Sequence, residues 1–180
     1  MNLSKMKIAI CGKLCSGKSY LAKYLSLKYN AKIYSFGSNV KKYCKEIFNM
    51  KYKDRKLLQD FAQKMREIDS DVWVNKLLNE ISEDNSSNII VDDLRFPNEE
   101  VKLREGGFVI IRLIVDNTLQ IERIKKTYPD SYKEHIERLD DISESYIDSL
   151  DIENTVYIDK TNELKILDLV VNCVDNNVYK

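Results

Sequence analysis

The sequence contains no apolar run long enough to cross a membrane. Near the N-terminus, Lys5 and Lys7 precede an apolar run of only about five residues, which is shorter than the core of a signal peptide and far shorter than a membrane-spanning helix. We therefore expect a cytoplasmic protein that does not contact a membrane.

The sequence also lacks a net charge, because 29 Lys and Arg residues balance 29 Asp and Glu residues. Proteins that bind nucleic acid tightly usually carry a net positive field, so this balance disfavours a nucleic-acid partner, although a local basic patch could still form. An anionic small molecule fits the composition better than a duplex does.

Side chains that bind zinc are scarce. Cys11, Cys15, Cys44 and Cys173 form no Cys-x-x-Cys pair, and His135 is the only histidine. A zinc site would therefore lack ligands, and we expect reduced thiols. Cys11 and Cys44 lie among apolar residues and are predicted to be small core side chains. His135 lies in a charged stretch, which predicts a solvated side chain without a catalytic role.

The sequence does contain an alternation of apolar and helical segments. With 180 residues, of which 43% are hydrophobic, the chain has the size of one domain, which we place at residues 1–180. Apolar stretches suited to buried strands are separated by segments with helical periodicity, the pattern of an α/β fold with a parallel sheet between helices. The five stretches are Lys7–Cys11, Ile33–Phe36, Ile89–Asp93, Phe108–Val115 and Thr155–Ile158.

Residues 12–19 match the phosphate-binding motif GxxxxGK[ST] in full. The motif follows the first predicted strand directly and precedes a helical stretch. Its glycines allow backbone N–H groups and the helix N-terminus to point at phosphate oxygens. We therefore expect ATP to bind here, with Lys18 on the terminal phosphates and Ser19 on magnesium. The predicted cofactor-binding residues of the loop are Gly12, Lys13, Cys15, Ser16, Gly17, Lys18 and Ser19.

Two adjacent acids, Asp92 and Asp93, end the third predicted strand. Ligands of open parallel sheets bind beyond the carboxyl ends of the strands, so both acids are expected near the phosphate loop. Either acid could hold magnesium together with Ser19, or orient the acceptor. The sequence leaves open which acid does which.

Asp54–Glu83 has helical periodicity with two different sides. Arg55, Gln59, Gln63 and Arg66 follow one another along a polar stripe. The stripe is either a solvated surface or the lining of a cleft for phosphate, which paired arginines would suit. The opposite, apolar side is predicted to consist of Leu57, Leu58, Phe61, Met65 and Ile68.

Several segments together resemble the deoxynucleoside monophosphate kinase family of P-loop kinases. Residues 35–41, Ser-Phe-Gly-Ser-Asn-Val-Lys, resemble the family's Ser-Phe-Ala-Asp-Pro-Leu-Lys segment, which implies that Phe36 and Lys41 help to form the acceptor site. The segment from Arg55 to Trp73 resembles the family's Arg-x-x-Leu-Gln helix. This likeness implies that the acceptor is bound by Arg55, Gln59, Arg66 and Trp73, although a tryptophan is more often a core residue.

Residues 93–99, Asp-Leu-Arg-Phe-Pro-Asn-Glu, resemble the family's Asp-x-Arg-Phe-x-Asn-Glu signature. The likeness implies that Asp93 and Arg95 act on the acceptor or on the transferred phosphoryl group. Ser143-Glu144 resembles the family's Ser-Glu element, with Asp141 where the family has His.

The resemblance also implies a three-layer P-loop kinase fold, with acceptor-binding helices at 37–83 and a short lid at 127–140. Arg123 would then contact ATP, and Arg138 would assist catalysis from the lid. Cys15 stands where the family often has a basic residue, and Ser19 where it often has Asp. A helix N-terminus and nearby lysines favour a Cys15 thiolate, unless the side chain turns inward.

The predicted activity is the ATP- and magnesium-dependent phosphorylation of a nucleoside or deoxynucleoside monophosphate. Phosphoryl transfer needs positioning and charge cancellation, which Lys18, magnesium and arginines supply. Bidentate arginines suit phosphate oxygens, and Arg55, Arg66 and Arg95 are assigned to the acceptor phosphate. Base and sugar specificity stay open, as does the choice between a monomer and a homodimer.

Two alternative functions remain. One is a P-loop kinase with a non-nucleotide phosphorylated acceptor, similar to animal phosphomevalonate kinases, which share a similar loop and an Asp-x-Arg element. The Phe36–Lys41 and Arg55–Trp73 matches favour the nucleotide. The other is a nucleotide-dependent regulator, which a guanine-specific Asn-Lys-x-Asp element would support; the sequence contains none.

Overall fold

The computed structural model of the 180-residue chain describes residues 5–84, 86, 88–137, 139, 142–150, 152–162 and 165–178. Its five strands are β1 (Lys7–Gly12), β2 (Ala31–Tyr34), β3 (Asn88–Leu94), β4 (Val109–Val115) and β5 (Asn154–Ile158). They form one parallel sheet with the order β2-β3-β1-β4-β5. The predicted α/β fold with a five-stranded parallel sheet is therefore confirmed.

Helices connect the strands and cover the sheet. In the described part of the chain they are α1 (Lys18–Tyr29), α2 (Phe36–Phe48), α3 (Arg55–Ile68), α4 (Val72–Ser82), α5 (Pro97–Glu105), α6 (Asn117–Thr127), α7 (Tyr132–Glu137), α8 (Ile142–Ser149) and α9 (Ile166–Val178). None of these helices combines the length and the apolar character that a membrane span requires.

The core has two halves because alternate residues of a strand point to opposite faces of the sheet. Ala9 and Cys11 of β1 belong to a buried cluster that includes residues of α2, α3, α4 and α5. Ile8 and Ile10 belong to a second cluster, with residues of α1, α6 and α9. The sheet thus lies between two helical layers, which explains why its central strands are apolar on both faces.

The second strand lies earlier in the chain than predicted. The prediction was Ile33–Phe36, whereas β2 is Ala31–Tyr34 and Phe36 is the first residue of α2. The helix begins here because Ser35 caps it: its Oγ accepts a hydrogen bond from the N–H of Ser38 at 3.0 Å.

The segment Asp54–Glu83, which has helical periodicity, forms two helices. Residues 69–71 form a non-helical turn between α3 and α4, in which the N–H of Asp71 donates to Asp69 Oδ1 at 2.9 Å. Leu57, Leu58, Phe61 and Met65 pack against the core as predicted. The prediction for Ile68 is wrong, because Ile68 ends α3 at the break and is 81% exposed.

The pairing of β1 with β3 contains an irregularity at the predicted acids. Ala9 pairs with Val91, but Cys11 pairs with Leu94, so β3 has one extra residue at Asp92 and Asp93. A bulge of this kind interrupts the alternation of side chains and commonly occurs next to active sites. It brings two consecutive acids to the carboxyl end of a central strand.

Glu99, in the first turn of α5, holds the start of that helix. Its Oε2 accepts hydrogen bonds from the N–H groups of Arg95 at 3.0 Å and Phe96 at 3.1 Å, at the end where a helix leaves such groups without an intrahelical partner. The side chain is almost fully buried. Burial raises the pKa of Glu99 to about 7, although the two N–H groups oppose the shift.

We predict that Glu99→Gln stabilises the protein at alkaline pH. Because the folded-state pKa is raised, the contribution of Glu99 to stability is complete below the unfolded pKa of about 4.5 and is lost as the pH rises through about 7. Gln keeps an oxygen for the two N–H groups and cannot ionise. The variant should exceed the wild type in free energy of unfolding by about 1–3 kcal/mol near pH 8.5 and match it near pH 4.5.

Urea unfolding of both proteins across this pH range measures the difference. The account of Glu99 would be contradicted if the wild type gained stability over Glu99→Gln as the pH rises.

Candidate active site

The loop between β1 and α1 has a backbone shape that requires its glycines. Gly12 has φ +153°, and a Cβ on it would lie 2.7 Å from the carbonyl oxygen of Leu113. Gly17, with φ +98°, directly precedes α1. Cys15 also has a positive φ, 58°. Turns of this type direct successive N–H groups into a concave surface that binds anions.

Lys18 lies across this loop. Its Nζ donates to the carbonyl oxygens of Gly12 at 2.5 Å and Lys13 at 2.9 Å. Burial, assisted by the nearby Arg95 guanidinium, lowers the pKa of Lys18 to about 8. Within the described residues its ammonium contacts no carboxylate directly. A bound phosphate would supply the missing negative charge and restore the cationic form.

Ser16 gives an independent indication of a ligand. Its Oγ is buried and has no hydrogen-bond partner in the described part of the chain, and such an orphaned group is costly. The loop N–H groups, Lys18 and this hydroxyl together form a donor set that fits the phosphates of ATP. Ser19, in the first turn of α1, is exposed, so its hydroxyl is available to magnesium.

The described residues contain no group of three or more His, Cys, Asp or Glu side chains that could enclose a metal. Magnesium often keeps several water and phosphate ligands and takes only one or two from the protein. Ser19 and Asp92 would suffice for that arrangement, so the residues present fit magnesium held mainly by ATP.

The structure separates the roles of the two adjacent acids. Asp93 anchors α2, since Oδ1 accepts from the N–H of Phe36 at 2.8 Å and Oδ2 from the N–H of Gly37 at 2.9 Å. The carboxylate of Asp92 bonds no other residue in the described chain. Burial, with the neighbouring Asp93, raises the pKa of Asp92 to about 6, and Lys18 opposes the shift. Asp92 is thus the acid left for magnesium or for the acceptor.

Helix α6 holds the second half of the phosphate loop. Gln120 Nε2 donates to the carbonyl oxygen of Leu14 at 2.6 Å. Arg123 Nη1 lies 3.3 Å from the carbonyl oxygen of Cys15 and 3.4 Å from that of Ser16. Arg123, predicted to contact ATP, therefore lies directly against the loop.

Helix α8 holds the first half of the loop. The N–H of Leu14 donates to Glu144 Oε2 at 2.9 Å, and Lys13 forms an ion pair with Asp148 at 2.6 Å. Glu144 also accepts from Arg95, with 2.5 Å between Oε1 and Nη1. One buried carboxylate thus joins the phosphate loop to the arginine that was assigned to the acceptor.

Arg66 lies farther along the same side of the cleft. Its guanidinium stacks over the ring of Phe96 at 4.1 Å from the centroid, and its Nη2 is 3.8 Å from Glu99 Oε1. Phe96 in turn contacts the ring of Tyr146 on α8, with 5.6 Å between centroids. The structure therefore brings Arg66 and Arg95 to neighbouring positions beside the loop.

Arg55 contacts the predicted lid segment. Its Nη1 is 3.4 Å from Nε2 of His135, whose ring stacks on Tyr128 with centroids 3.8 Å apart. The prediction of a solvated His135 is wrong, because the side chain is only 4% exposed and packs between these partners.

Lys41 and Gln59 are exposed, and Lys41 is close enough to Asp92 to lower its pKa slightly.

Two residues assigned to the substrate lie in the core. Trp73 is buried, and its Nε1 donates to the carbonyl oxygen of Ala62 at 3.1 Å, so the indole cannot stack on a base. Phe36 is also buried, and only its N–H reaches the site, where it bonds Asp93. Both predictions of direct substrate contact are corrected for that reason. Arg138 lies outside the described residues.

Cys15 is half-buried. Partial burial raises the pKa of its thiol, although Thr127 and the nearby cations oppose the shift. The sequence left open whether this side chain turns inward, and its partial burial favours the thiol over the thiolate. Cys11 and Cys44 are core residues as predicted.

Two polar contributors to the site, Glu99 and Gln120, were not predicted from the sequence, and no role was predicted for Glu144. Glu99 and Glu144 lie in segments that carry the family resemblance, so the motifs marked the right positions without indicating their contacts. Nothing in the helical pattern of α6 sets Gln120 apart, since its role depends on the tertiary placement of α6 over the loop.

Solved structures with a similar fold include three kinases. Shikimate kinase from Acinetobacter baumannii, in complex with shikimate, has a TM-score of 0.59 at 11% identity, and the match covers 99% of this chain and 97% of that chain. Deoxyadenosine kinase from M. mycoides, with dCMP and a flexible dCDP bound as products, has a TM-score of 0.53 at 20% identity, covering 95% and 100%. A gluconokinase from Sinorhizobium meliloti 1021 has a TM-score of 0.53 at 16% identity, covering 96% and 95%.

At these identities the structural matches show the fold alone. No curated protein sequence matches the chain. The sequence model of the AAA domain family matches residues 8–148, which span the phosphate loop, the acids of β3 and most of α8. The chain therefore belongs to the AAA domain family and has the α/β fold of the P-loop kinases.

Proposed function

We propose that this protein transfers the γ-phosphoryl group of ATP to the phosphate of a nucleoside monophosphate. The observation that carries this proposal is the position of Arg95, which one carboxylate, Glu144, joins to the backbone of the phosphate loop. Arg95 lies beside the donor site, and Arg66 lies next to Arg95. Together they provide positive charge for the phosphate of the acceptor, next to the phosphates of ATP.

The residues of the loop supply the donor half of the reaction. Lys18 and the loop N–H groups bind and orient the terminal phosphates, and Ser16 Oγ gains a partner when the loop is filled. Magnesium, when bound with ATP, neutralises charge on the phosphate oxygens. Asp92, on which the charge of Lys18 acts, would orient the metal or its water ligands.

The acceptor half requires in-line placement of a nucleophilic phosphate oxygen. Arg95 and Arg66 orient that phosphate, and their charge offsets its repulsion from the donor phosphates. The segment from 127 to 140 acts as a lid that excludes water, and its helix α7 already contacts Arg55 through His135.

A second candidate function is a kinase with a non-nucleotide phosphorylated acceptor. The observation that favours it is the burial of Phe36 and Trp73, which removes two aromatic side chains expected beside a base. The shikimate kinase and the gluconokinase with similar folds act on acceptors without a base, by their names. Phe96 and Tyr146 remain as aromatic side chains beside Arg95 and Arg66.

A coupled assay distinguishes these candidates. The purified protein is incubated with ATP, magnesium and each of a panel of ribo- and deoxynucleoside monophosphates, mevalonate 5-phosphate, shikimate, gluconate or water alone. We expect ADP formation that depends on a nucleoside monophosphate. Turnover only with another acceptor, or equal hydrolysis without any acceptor, would overturn the proposed nucleotide kinase.

Replacing Lys18 tests the donor site. We predict that Lys18→Ala lowers kcat by at least about 100-fold, because the charge that stabilises the transferring phosphoryl group is lost. The fold should persist, since Lys18 contacts loop carbonyls and no core side chain. Lys23→Ala, at an exposed position of the same helix, is the matched control and should retain normal kcat. Near-normal turnover by folded Lys18→Ala would exclude the loop as the donor site.

Replacing Arg66 tests the acceptor site. We predict that Arg66→Ala raises the acceptor KM or lowers kcat, with a combined loss in kcat/KM of about 10–100-fold, whereas ATP affinity measured by calorimetry stays near the wild-type value. Lys64→Ala, exposed on the same helix, should change neither quantity. Equal losses of ATP affinity and of kcat/KM in Arg66→Ala would place this side of the cleft at the donor.

A further inference from the structure

We propose that Glu144 is a positioning residue that transmits occupation of the phosphate loop to Arg95 and so couples donor binding to acceptor binding. The inference rests on the proposed nucleotide kinase function. Its basis is a single buried carboxylate with both oxygens engaged: Oε2 accepts from the N–H of Leu14 at 2.9 Å, and Oε1 accepts from Arg95 at 2.5 Å.

The hydrogen bond between Glu144 and Arg95 joins two charged groups, a class that is stronger than hydrogen bonds between neutral groups. Glu144 is only 5% exposed, and a carboxylate removed from water is costly unless charge and hydrogen bonds compensate it. The Leu14 N–H and the guanidinium provide that compensation. Loss of either partner would leave a buried charge with half of its partners, so the three groups are expected to move together.

Arg95 remains able to bind a ligand while it holds Glu144. A guanidinium has five N–H donors in a fixed plane, and the contact with Glu144 uses Nη1. In the described part of the chain no other acceptor bonds the Arg95 side chain, which is 32% exposed. Glu144 therefore holds one end of the guanidinium and leaves its other N–H donors for a phosphate.

Leu14, the loop residue that bonds Glu144, is held by a second helix as well. While the N–H of Leu14 bonds α8 through Glu144, its carbonyl oxygen accepts from Gln120 of α6 at 2.6 Å. One turn along α8, Asp148 forms an ion pair with Lys13. The first half of the loop and α8 are thus joined at two consecutive residues, so a change of loop geometry on binding ATP displaces Glu144 as well.

The charge of the same carboxylate acts on two cations, on Arg95 by direct contact and on Lys18 through space. Removing the charge of Glu144 would expose Lys18 and Arg95 to each other's repulsion. Because Lys18 is assigned to the donor and Arg95 to the acceptor, Glu144 also sets the electrostatic balance between the two halves of the site.

The test measures the coupling between the two ligands by calorimetry. The probes are magnesium with adenylyl imidodiphosphate, as the donor analogue, and the nucleoside monophosphate that the panel assay turns over fastest. In the wild type we expect the donor analogue to change the affinity for the monophosphate by at least about 5-fold. In Glu144→Gln, which keeps the shape of the side chain and loses its charge, the factor should fall to about 1.

Four further measurements distinguish positioning from a structural role. Affinity of Glu144→Gln for the donor analogue alone should stay within about 3-fold of the wild type. Glu153→Gln, the same change from acid to amide at an exposed position outside α8 and the phosphate loop, is the matched control and should retain the wild-type coupling factor. Arg95→Lys keeps the charge but not the planar fork, and it should lose the coupling to the same extent as Glu144→Gln, with no additional loss in the double variant.

Each outcome has a defined meaning. An unchanged coupling factor in Glu144→Gln or in Arg95→Lys overturns the inference, as does a parallel loss of donor affinity that would assign Glu144 to loop stability. The Arg95→Lys variant keeps the test valid if Glu144→Gln does not fold. If the wild type phosphorylates no nucleoside monophosphate, the proposed function and this inference both fail; turnover with unchanged coupling overturns the inference alone.

Discussion

The pairing of β1 with β3 in the middle of the sheet is the constraint on which the site depends. Because the strands are parallel, the loop that follows β1 and the acids that end β3 must meet at the same edge. The extra residue at Asp92 and Asp93 then lets two consecutive carboxylates serve one site. Asp93 accepts hydrogen bonds from the start of α2, whereas the carboxylate of Asp92 interacts electrostatically with Lys18. The apolar faces of both strands ensure that this arrangement is set by the core and is present without any ligand.

Three carboxylates, of which Glu99 and Glu144 are buried, connect the parts that surround this edge. Asp93 bonds α2, Glu99 bonds the N–H groups of Arg95 and Phe96, and Glu144 bonds Arg95 and the phosphate loop. N–H donors offset part of the cost of burying these charges, and a guanidinium contributes at Glu144 (Arg95) and at Glu99 (Arg66). At Glu99 the offset is incomplete, because burial still raises its pKa to about 7. In this arrangement negative charge stays in the interior, while Lys18, Arg95 and Arg66 remain available to anions. A phosphate ligand therefore meets donors that are already oriented, which lowers the cost of binding.

The sequence predicted those features that depend on local pattern. Short-range periodicity predicts four of the five strand positions and the polar side of α3. The spacing of the glycines predicts the phosphate loop, whose backbone shape requires them. Prediction from the sequence failed for side chains whose burial depends on tertiary packing. Trp73 and Phe36 lie in matched motifs but face the core, and His135 lies in a charged stretch but is buried against Tyr128. The bridge made by Glu144 links residues 130 positions apart, and no local pattern encodes such a contact.

The central claim is that donor and acceptor phosphates bind next to each other between the loop and the arginines Arg95 and Arg66. The most direct measurement is calorimetric titration with a bisubstrate analogue in which two nucleosides are joined by five phosphates. We expect one molecule to bind per chain, more tightly than ATP, and to be displaced by ATP and by the acceptor monophosphate separately. Binding no tighter than that of ATP, with no displacement by any acceptor, would show that the arginines do not form a second phosphate site and would contradict the account.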